Sequence, residues 1–256
     1  MTDILCPVLE LSVIIPGILL AYLPVKNYLR QTPLKLTAWL LPLLLGICIL
    51  GGAVCCALQI PTRWFLFPLL PVIMLIYHKT LKISVWKSVS IFLAVFAVFT
   101  CVKSLSRAVN ALMTADLHIT ENELWLHTSA GIFYNVICLL FVLAAWYPAR
   151  HCVQTMIADE NFAQTWYVFW ILPVISIGLN LFMIPKHRGT LYIGRVLQYY
   201  IVLSLVLFIT LLLFYVMFLI IAVSLNRNAR LQQENHFLSL QQERKHKGTL
   251  EIMQLK

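Results

Sequence analysis

Residues 196–225 read VLQYYIVLSLVLFITLLLFYVMFLIIAVSL, thirty consecutive residues without a charged side chain. A helix needs about 20 apolar residues to cross the roughly 30 Å hydrocarbon core of a bilayer, so this stretch predicts a membrane span with length to spare. No glycine or proline occurs between Gly194 and Gly248, and both residue types interrupt helices. We therefore expect one helix that continues past the hydrocarbon into the polar residues after Asn226.

The composition of the whole chain leads to the same fold class. Of its 256 residues, 61% are hydrophobic and 11% are charged, whereas soluble domains carry about 25% charged residues. A soluble protein of this size needs a polar surface, and membrane lipid removes that requirement as long as helices satisfy their own backbone groups. The sequence therefore predicts an all-α fold, a polytopic membrane helix bundle with lipid as its surroundings.

The apolar stretches predict about seven membrane spans, two of which are weak. Arg63, Pro68 and Pro71 interrupt the third, and Lys87 enters the fourth. Arg63 and Lys87 lie near span ends, where long cationic side chains reach the headgroups. If one or both of these stretches do not cross the membrane, the number of spans is six or five. The predicted spans are residues 4–23, 36–58, 60–77, 83–101, 129–148, 166–185 and 196–225.

The distribution of lysine and arginine predicts the orientation. With the C-terminus inside, the inner segments hold 13 of these cations and the outer segments 6, which sum to the 19 of the chain. Positive charge resists translocation, so we expect the N-terminus outside and the C-terminus in the cytoplasm, although residues 186–195 place three cations outside. The predicted organisation is a multispan membrane domain, residues 1–225, and a cytoplasmic helix, residues 226–256.

The chain lacks the sequence features of membrane enzymes and cofactor proteins. HExxH, Walker and GxGxxG motifs are absent, and no histidine lies in the middle of a predicted span, where metal or proton chemistry would need polar ligands. The seven cysteines lie mostly within or at the ends of apolar stretches, which favours small buried hydrophobes over a zinc site or disulfides. We predict no catalytic residue, no cofactor and no metal site. Nucleic-acid binding is also not expected, because the cations are dispersed between spans.

Glu10 is the only acidic residue inside a predicted span. A carboxylate within a membrane is costly and points to function, so Glu10 is a candidate ligand-sensing residue. The structural alternative is contact with the outer interface or an ion pair with a neighbouring cation such as Arg63. Asn135 and Asn180, at mid-depth, are interpreted as helix-to-helix hydrogen bonds, with the lining of a ligand cavity as the alternative.

The longest polar stretch, residues 102–127, is external in this topology and contains ADLHITENELWLH. Binding residues concentrate on long loops, which favours a recognition surface here. The alternatives are a solvated connector with a short amphipathic helix, or a metal site with His118 and Glu121 on one helix face. The candidate ligand-sensing residues in this stretch are Glu121, Glu123, Trp125 and His127.

The polar residues after the last span carry a short apolar pattern. Leu231 and Leu238 are seven residues apart, with Phe237 and Leu240 beside them. This is barely more than one heptad of a coiled coil. The candidate residues for a dimer or signal helix are Leu231, Phe237 and Leu238.

Three stretches resemble a known family over residues 165–244. They are TWYVFWILP at 165–173, NLFMIPKHRGTLYIGRVLQYY at 180–200 and SLNRNARLQQENHFLSLQQER at 224–244. They resemble the membrane sensor (N-terminal) region of bacterial sensor histidine kinases of the GHKL type, which are related to the accessory-gene-regulator peptide receptors. The resemblance implies a membrane sensor or receptor module of a two-component signalling system, with residues 1–225 as the sensor domain. The last transmembrane helix would pass the signal to a dimeric phosphoacceptor helix pair.

The chain departs from this family after Arg244. The residues KHKGTLEIMQLK place His246 between two lysines and before Gly248, without the acidic neighbour of a phosphoacceptor histidine, and the ATP-binding motifs do not follow. We therefore expect no enzyme activity in this form. Residues 226–256 would be a signalling-helix stub truncated before any kinase domain, or the end of a stand-alone sensor.

The partners expected from the resemblance are a second copy of the chain or a separate kinase, and an extracellular peptide or small molecule as ligand. A small-molecule transporter or permease is the alternative function. It would require an inverted repeat and broken helices at the midplane. We find no internal repeat in the sequence, which favours the sensor.

Overall fold

The computed structural model describes residues 2–113, 125–158, 165–183 and 194–254. These residues form ten α-helices, a 3₁₀ turn at Lys26–Tyr28 and a π-helical turn at Ala149–Val153, with one isolated antiparallel bridge between Leu29 and Leu81. The predicted all-α fold is confirmed. The helices are α1 (Thr2–Ser12), α2 (Ile14–Tyr22), α3 (Pro33–Ala57), α4 (Thr62–Lys79), α5 (Val85–Met113), α6 (Thr128–Pro148), α7 (Gln154–Ala158), α8 (Trp166–Phe169), α9 (Ile171–Phe182) and α10 (Gly194–Gln254).

The chain divides into two compact units, Met1–Leu213 and Phe214–Lys256. The first unit is a helix bundle in which α1 packs on α3 and α6, while α5 packs on α6 and α9. In the second unit, residues 214–254 are helical, and the side chains of Leu231, Phe237 and Leu238 are exposed.

Most of the predicted spans are helices that could cross a membrane. A shorter apolar segment, Trp166–Phe182, lies at the sixth predicted span, and α4 lies at the third. The fold is therefore the polytopic helix bundle that was predicted, within the expected range of five to seven spans. In the described part of the chain, five segments are long and apolar enough: Ile4–Tyr22, Pro33–Ala57, Val85–Met113, Thr128–Ala158 and Arg195–Ile221.

Two apolar segments, Ile4–Tyr22 and Trp166–Phe182, are each divided into two helices next to a proline. Proline lacks the N–H that donates to the carbonyl four residues earlier, and its ring collides with that carbonyl. Pro16 lies four residues after Ser12, where α1 ends, and Pro173 lies four residues after Phe169, where α8 ends. Pro16 and Pro173 are each the third residue of the second helix of the pair, so the first and sixth predicted spans are divided next to a proline. The prediction that Pro68 and Pro71 interrupt the third span is wrong, because both lie inside the continuous helix α4.

Helix α5 continues twelve residues past the end of the fourth predicted span. The predicted end of the fourth span at Cys101 is wrong, because residues 102–113 are helical and Ser104 and Ser106 are buried among their neighbours. That these residues lie on the outer side of the membrane stays a prediction. The helix continues because residues 85–113 contain neither glycine nor proline, and small serine side chains let helices approach closely. The cations that follow Thr100 therefore lie on a packed helix.

Polar groups inside the bundle join one helix to another. The Asn135 side chain on α6 donates to the carbonyl of Leu9 at 2.8 Å and accepts from Ser12 Oγ at 2.8 Å, which confirms the helix-to-helix interpretation of this asparagine. Lys87 Nζ donates to the carbonyl of Ile157 at 2.8 Å. Lys87 therefore bonds to a carbonyl near the end of α7, and its contact with the headgroups stays a prediction.

Helices α1 and α3 are in close contact at a glycine. A Cβ atom built on Gly52 of α3 would lie 2.3 Å from Val8 Cγ2 and 3.1 Å from the Val8 backbone nitrogen on α1. Helices approach this closely where small residues face the partner. This contact holds α1, and with it Glu10, against the bundle.

Candidate functional site

Glu10 is buried and both of its carboxylate oxygens are engaged. Oε2 lies 2.9 Å from Lys103 Nζ on α5 and accepts a hydrogen bond from Thr62 Oγ1 on α4. Oε1 accepts a hydrogen bond from the backbone N–H of Leu126 at 2.6 Å. Lys103 Nζ also donates to Thr62 Oγ1 at 3.2 Å. One carboxylate thus joins α1, α4, α5 and the segment before α6, and we call these four residues the Glu10 cluster.

The helix order explains why these residues meet. Helices joined by short connections run antiparallel to each other, so the start of α4 and the end of α5 lie at the same end of the bundle. Thr62 is the first residue of α4, and Lys103 lies in the last three turns of α5. Leu126 lies just before α6 begins. Glu10 on α1 supplies the negative charge at this end.

The ion-pair alternative for Glu10 is correct, but Arg63 as its partner is wrong. Lys103 holds the carboxylate instead. Neighbouring residues of a helix point about 100° apart, so Thr62 faces Glu10 and Arg63 faces elsewhere. Whether Glu10 also senses a ligand stays a prediction, since all of its described contacts are internal to the protein.

The two described candidates in the predicted recognition segment are held by the protein itself. Trp125 Nε1 donates to the carbonyl of Ile60 at 3.1 Å, and the His127 backbone N–H donates to Asn110 Oδ1 at 2.9 Å. These bonds fix the chain before α6 to the ends of its neighbours. The other two candidates, Glu121 and Glu123, lie outside the described residues.

A cavity of about 260 Å³ lies beside the Glu10 cluster, between α4, α5 and α9. Three cationic side chains line it, together with aromatic and aliphatic residues, and no carboxylate is among its lining residues. We call it the cationic cavity. Its cations are Arg63 on α4 and Lys103 and Arg107 on α5.

A second, smaller cavity of about 60 Å³ shares Leu66, Leu70, Phe96, Phe99 and Tyr134 with the cationic cavity. It continues along α4 and α5 and is also lined by α2, and its lining is apolar apart from Glu10 and Tyr134. We call it the apolar cavity. The cationic and apolar cavities therefore adjoin along one side of α4 and α5.

The cationic cavity carries excess positive charge. The charge of Lys103 is matched by Glu10, whereas Arg63 and Arg107 form no ion pair within the described residues. Arg63 Nε is also buried without a hydrogen-bond partner in that part of the chain. Arg63 and Arg107 are half-buried, and cations withdrawn from water are normally paired, so this cavity is suited to a group that carries negative charge.

Asn180 on α9 forms one wall of the cationic cavity. Its Oδ1 accepts from Ser104 Oγ at 2.8 Å, and its Nδ2 donates to the carbonyl of Ser176 at 2.9 Å. The helix-to-helix interpretation of Asn180 is therefore confirmed, and the residue also lines a cavity. That this cavity binds a ligand stays a prediction.

Sequence reasoning missed Lys103 and Arg107 as site residues, because both were assigned to an external segment. A usable pattern was present: Phe96, Phe99, Lys103 and Arg107 are three or four residues apart along a stretch without glycine or proline. That spacing places them on one face of a helix.

No protein-family model matches the chain, and no curated protein or solved structure matches it either. The fold and the site define a polytopic helical protein with membrane-spanning character and an internal cationic cavity.

Proposed function

We propose that this chain is a membrane sensor module of a two-component signalling system, a multi-pass protein of the bacterial cell membrane that is non-catalytic in this form. The observation that carries the proposal is α10, a helix of 61 residues that includes the last apolar stretch and the Gln-rich residues after it. Such an element suits the transfer of a change from membrane to cytoplasm. The resemblance of residues 165–244 to GHKL-type sensor kinases supports the same function.

Contacts within the first unit supply a route from the cavity to this helix. Tyr200 of α10 packs against Ala108 and Ala111 of α5, which lie one and four residues after Arg107 at the cavity. A ligand that displaces α5 would therefore displace the start of α10. The ligand acts by binding one of two helix packings more tightly than the other.

The signalling partner in this proposal is a second copy of the chain or a separate kinase, joined through the tail of α10. Leu231 and Leu238 are seven residues apart and therefore lie within about 20° of each other around the helix, while Phe237 lies about 100° from Leu238. All three side chains are exposed. A helix pair would cover them.

Replacement of Leu231, Phe237 and Leu238 by aspartate is expected to abolish crosslinking between the tails of two copies, because a charge at a helix-pair seam must be desolvated. The measurement is crosslinking of the full chain in membranes, with membrane insertion assayed in parallel. His236→Asp is the control for Leu231→Asp alone, since it adds the same single charge about 140° away from Leu231. Equal crosslinking in the triple variant and the control would contradict a dimeric signal helix.

Reporter fusions test the orientation that the proposal requires. Two reporter enzymes are compared, one that is active only in the cytoplasm and one that is active only outside the cell. Fused after Lys256, the cytoplasmic reporter is expected to be active. Inserted at Glu121, the external reporter is expected to be active, because the cation distribution favours this topology. An external reporter at Lys256 would exclude a cytoplasmic partner for α10.

A transporter is the second candidate function, and the interrupted segments Ile4–Tyr22 and Trp166–Phe182 favour it, since transporters use broken helices at their binding sites. The aspartate variants of the tail distinguish the two functions. A sensor would lose its output in these variants, whereas a transporter would keep its flux.

A further inference from the structure

We propose that the joined cationic and apolar cavities bind an anionic membrane phospholipid, with its phosphate on Arg63 and Arg107 and one acyl chain along α4 and α5. This names the ligand class of the site described above. Its meaning as a signal rests on the proposed sensor function, whereas binding itself does not.

The charge of the site selects an anion. Arg63 and Arg107 line one cavity, and neither forms a salt bridge within the described residues. The Glu10 carboxylate lines the adjoining cavity, where Lys103 pairs with it. Guanidinium groups bind phosphate through several parallel hydrogen bonds, and Arg63 Nε is a buried donor that lacks an acceptor in the described structure. A phosphate between the two arginines would relieve their mutual repulsion and satisfy this donor.

The shape of the site selects an acyl chain. Arg63, Leu66, Leu70 and Ile73 follow one stripe of α4, and all four line one of the two cavities. Each stripe position is three or four residues from the next, so the cationic end and the apolar end lie on the same helix face. On α5 the same order runs from Arg107 through Phe99 to Phe92.

The length of the site matches one leaflet. Ten residues separate Arg63 from Ile73, which is about 15 Å along a helix at 1.5 Å per residue. Half of a hydrocarbon core of about 30 Å is the same length. A phosphate at the bundle end would lie in the cationic cavity. The apolar cavity of about 60 Å³ would take only a few methylene groups, and the rest of the acyl chain would lie in the bilayer beside α4. A peptide would leave backbone donors and acceptors unpaired against this apolar wall.

Access is from the side of the bundle. Phe67 and Leu181 line the cationic cavity and are 69% and 42% exposed. Exposed apolar side chains on a membrane helix face lipid. A lipid can therefore enter from the surrounding leaflet without crossing water.

Binding is tested on the full chain in neutral detergent by native mass spectrometry, with phosphatidylglycerol, phosphatidylcholine and inorganic phosphate as separate probes. We expect one phosphatidylglycerol to bind at least about tenfold more tightly than phosphatidylcholine. Both lipids carry a phosphate, but phosphatidylcholine would also bring its choline cation beside the arginines, and one like-charge contact changes affinity by roughly that factor. Inorganic phosphate should bind more weakly than phosphatidylglycerol, because it makes no acyl-chain contact. Equal binding of both lipids, or equal binding of phosphate, would overturn the proposal.

Two pairs of variants locate the lipid. Arg63→Gln/Arg107→Gln should lose about tenfold or more in phosphatidylglycerol affinity, while Arg150→Gln, on an exposed arginine, should not change it. Leu70→Trp should block the acyl chain, whereas Leu75→Trp, at an exposed position of the same helix, should not. The elution volume of each variant reports on its folding. Unchanged binding in both cavity variants would overturn the assignment.

Tail crosslinking separates this inference from the sensor function. If phosphatidylglycerol binds as expected but leaves crosslinking of α10 unchanged, the lipid site stands and the sensor role fails. If crosslinking occurs but the lipid does not bind, the lipid inference fails and the sensor role stands.

Discussion

Replacement of Lys103 by methionine is expected to lower the free energy of unfolding by about 3 kcal/mol, within the range for breaking a buried ion pair. The side chains of Glu10 and Lys103 are 3% and 13% exposed and their charged atoms are 2.9 Å apart. Methionine keeps the length of the lysine stem but removes the charge, so the Glu10 carboxylate stays buried without its cation. Thr62 and the Leu126 N–H still donate to it, which keeps the loss moderate.

The measurement is denaturant-induced unfolding of the purified chain in detergent, followed by tryptophan fluorescence. Glu10→Gln/Lys103→Met should recover most of the loss, because neither charge is then present and the glutamine oxygen can accept from Leu126. Lys82→Met is the matched control, on an exposed lysine, and should change stability by less than about 0.5 kcal/mol. Equal losses for Lys103→Met and Lys82→Met would show that the pair contributes nothing.

Replacement of Gly52 by alanine is expected to destabilise the bundle by about 1–3 kcal/mol, the usual cost of an overpacked contact. The new methyl group would lie 2.3 Å from Val8 Cγ2 and 3.1 Å from the Val8 nitrogen. Because part of this contact is backbone, α1 as a whole must move away from α3. Displacement of α1 also moves Glu10, so the variant should weaken the Glu10 cluster as well.

Gly46→Ala is the matched control on the same helix. Nothing lies within 4 Å of a Cβ built there, so alanine should stabilise the helix by up to about 1 kcal/mol through its better helix propensity. Opposite signs for the two substitutions are therefore expected in the same unfolding assay. Val8→Ala should partly rescue Gly52→Ala by removing Cγ2. The same sign at both glycines would contradict close packing of α1 on α3.

The membrane-spanning character could be predicted from the sequence because it depends on local quantities. Whether a stretch such as 196–225 can cross a bilayer is decided by its own length, apolar content and lack of charge. The fourth predicted span was given too early an end, because Lys103 and Arg107 were interpreted as loop residues. Their charges are tolerated within α5 because one has Glu10 beside it and both border a cavity.

The candidate site could be predicted only in part. Glu10 stood out because a single carboxylate in an apolar stretch is costly. Its true partner lies 93 residues away in the chain, and Arg63, Lys103 and other cations were equally plausible before the packing of α1, α4 and α5 was known. A pairing of this kind carries no local signature.

The amino-acid order thus determined that the chain forms apolar helices and that one acid would need a partner inside the bundle. These properties follow from the chemistry of neighbouring residues along one helix. Only the tertiary structure decided that Lys103 is that partner and that Arg63 and Arg107 share a cavity. Helix faces many residues apart meet through packing, and packing depends on all of the contacting side chains together.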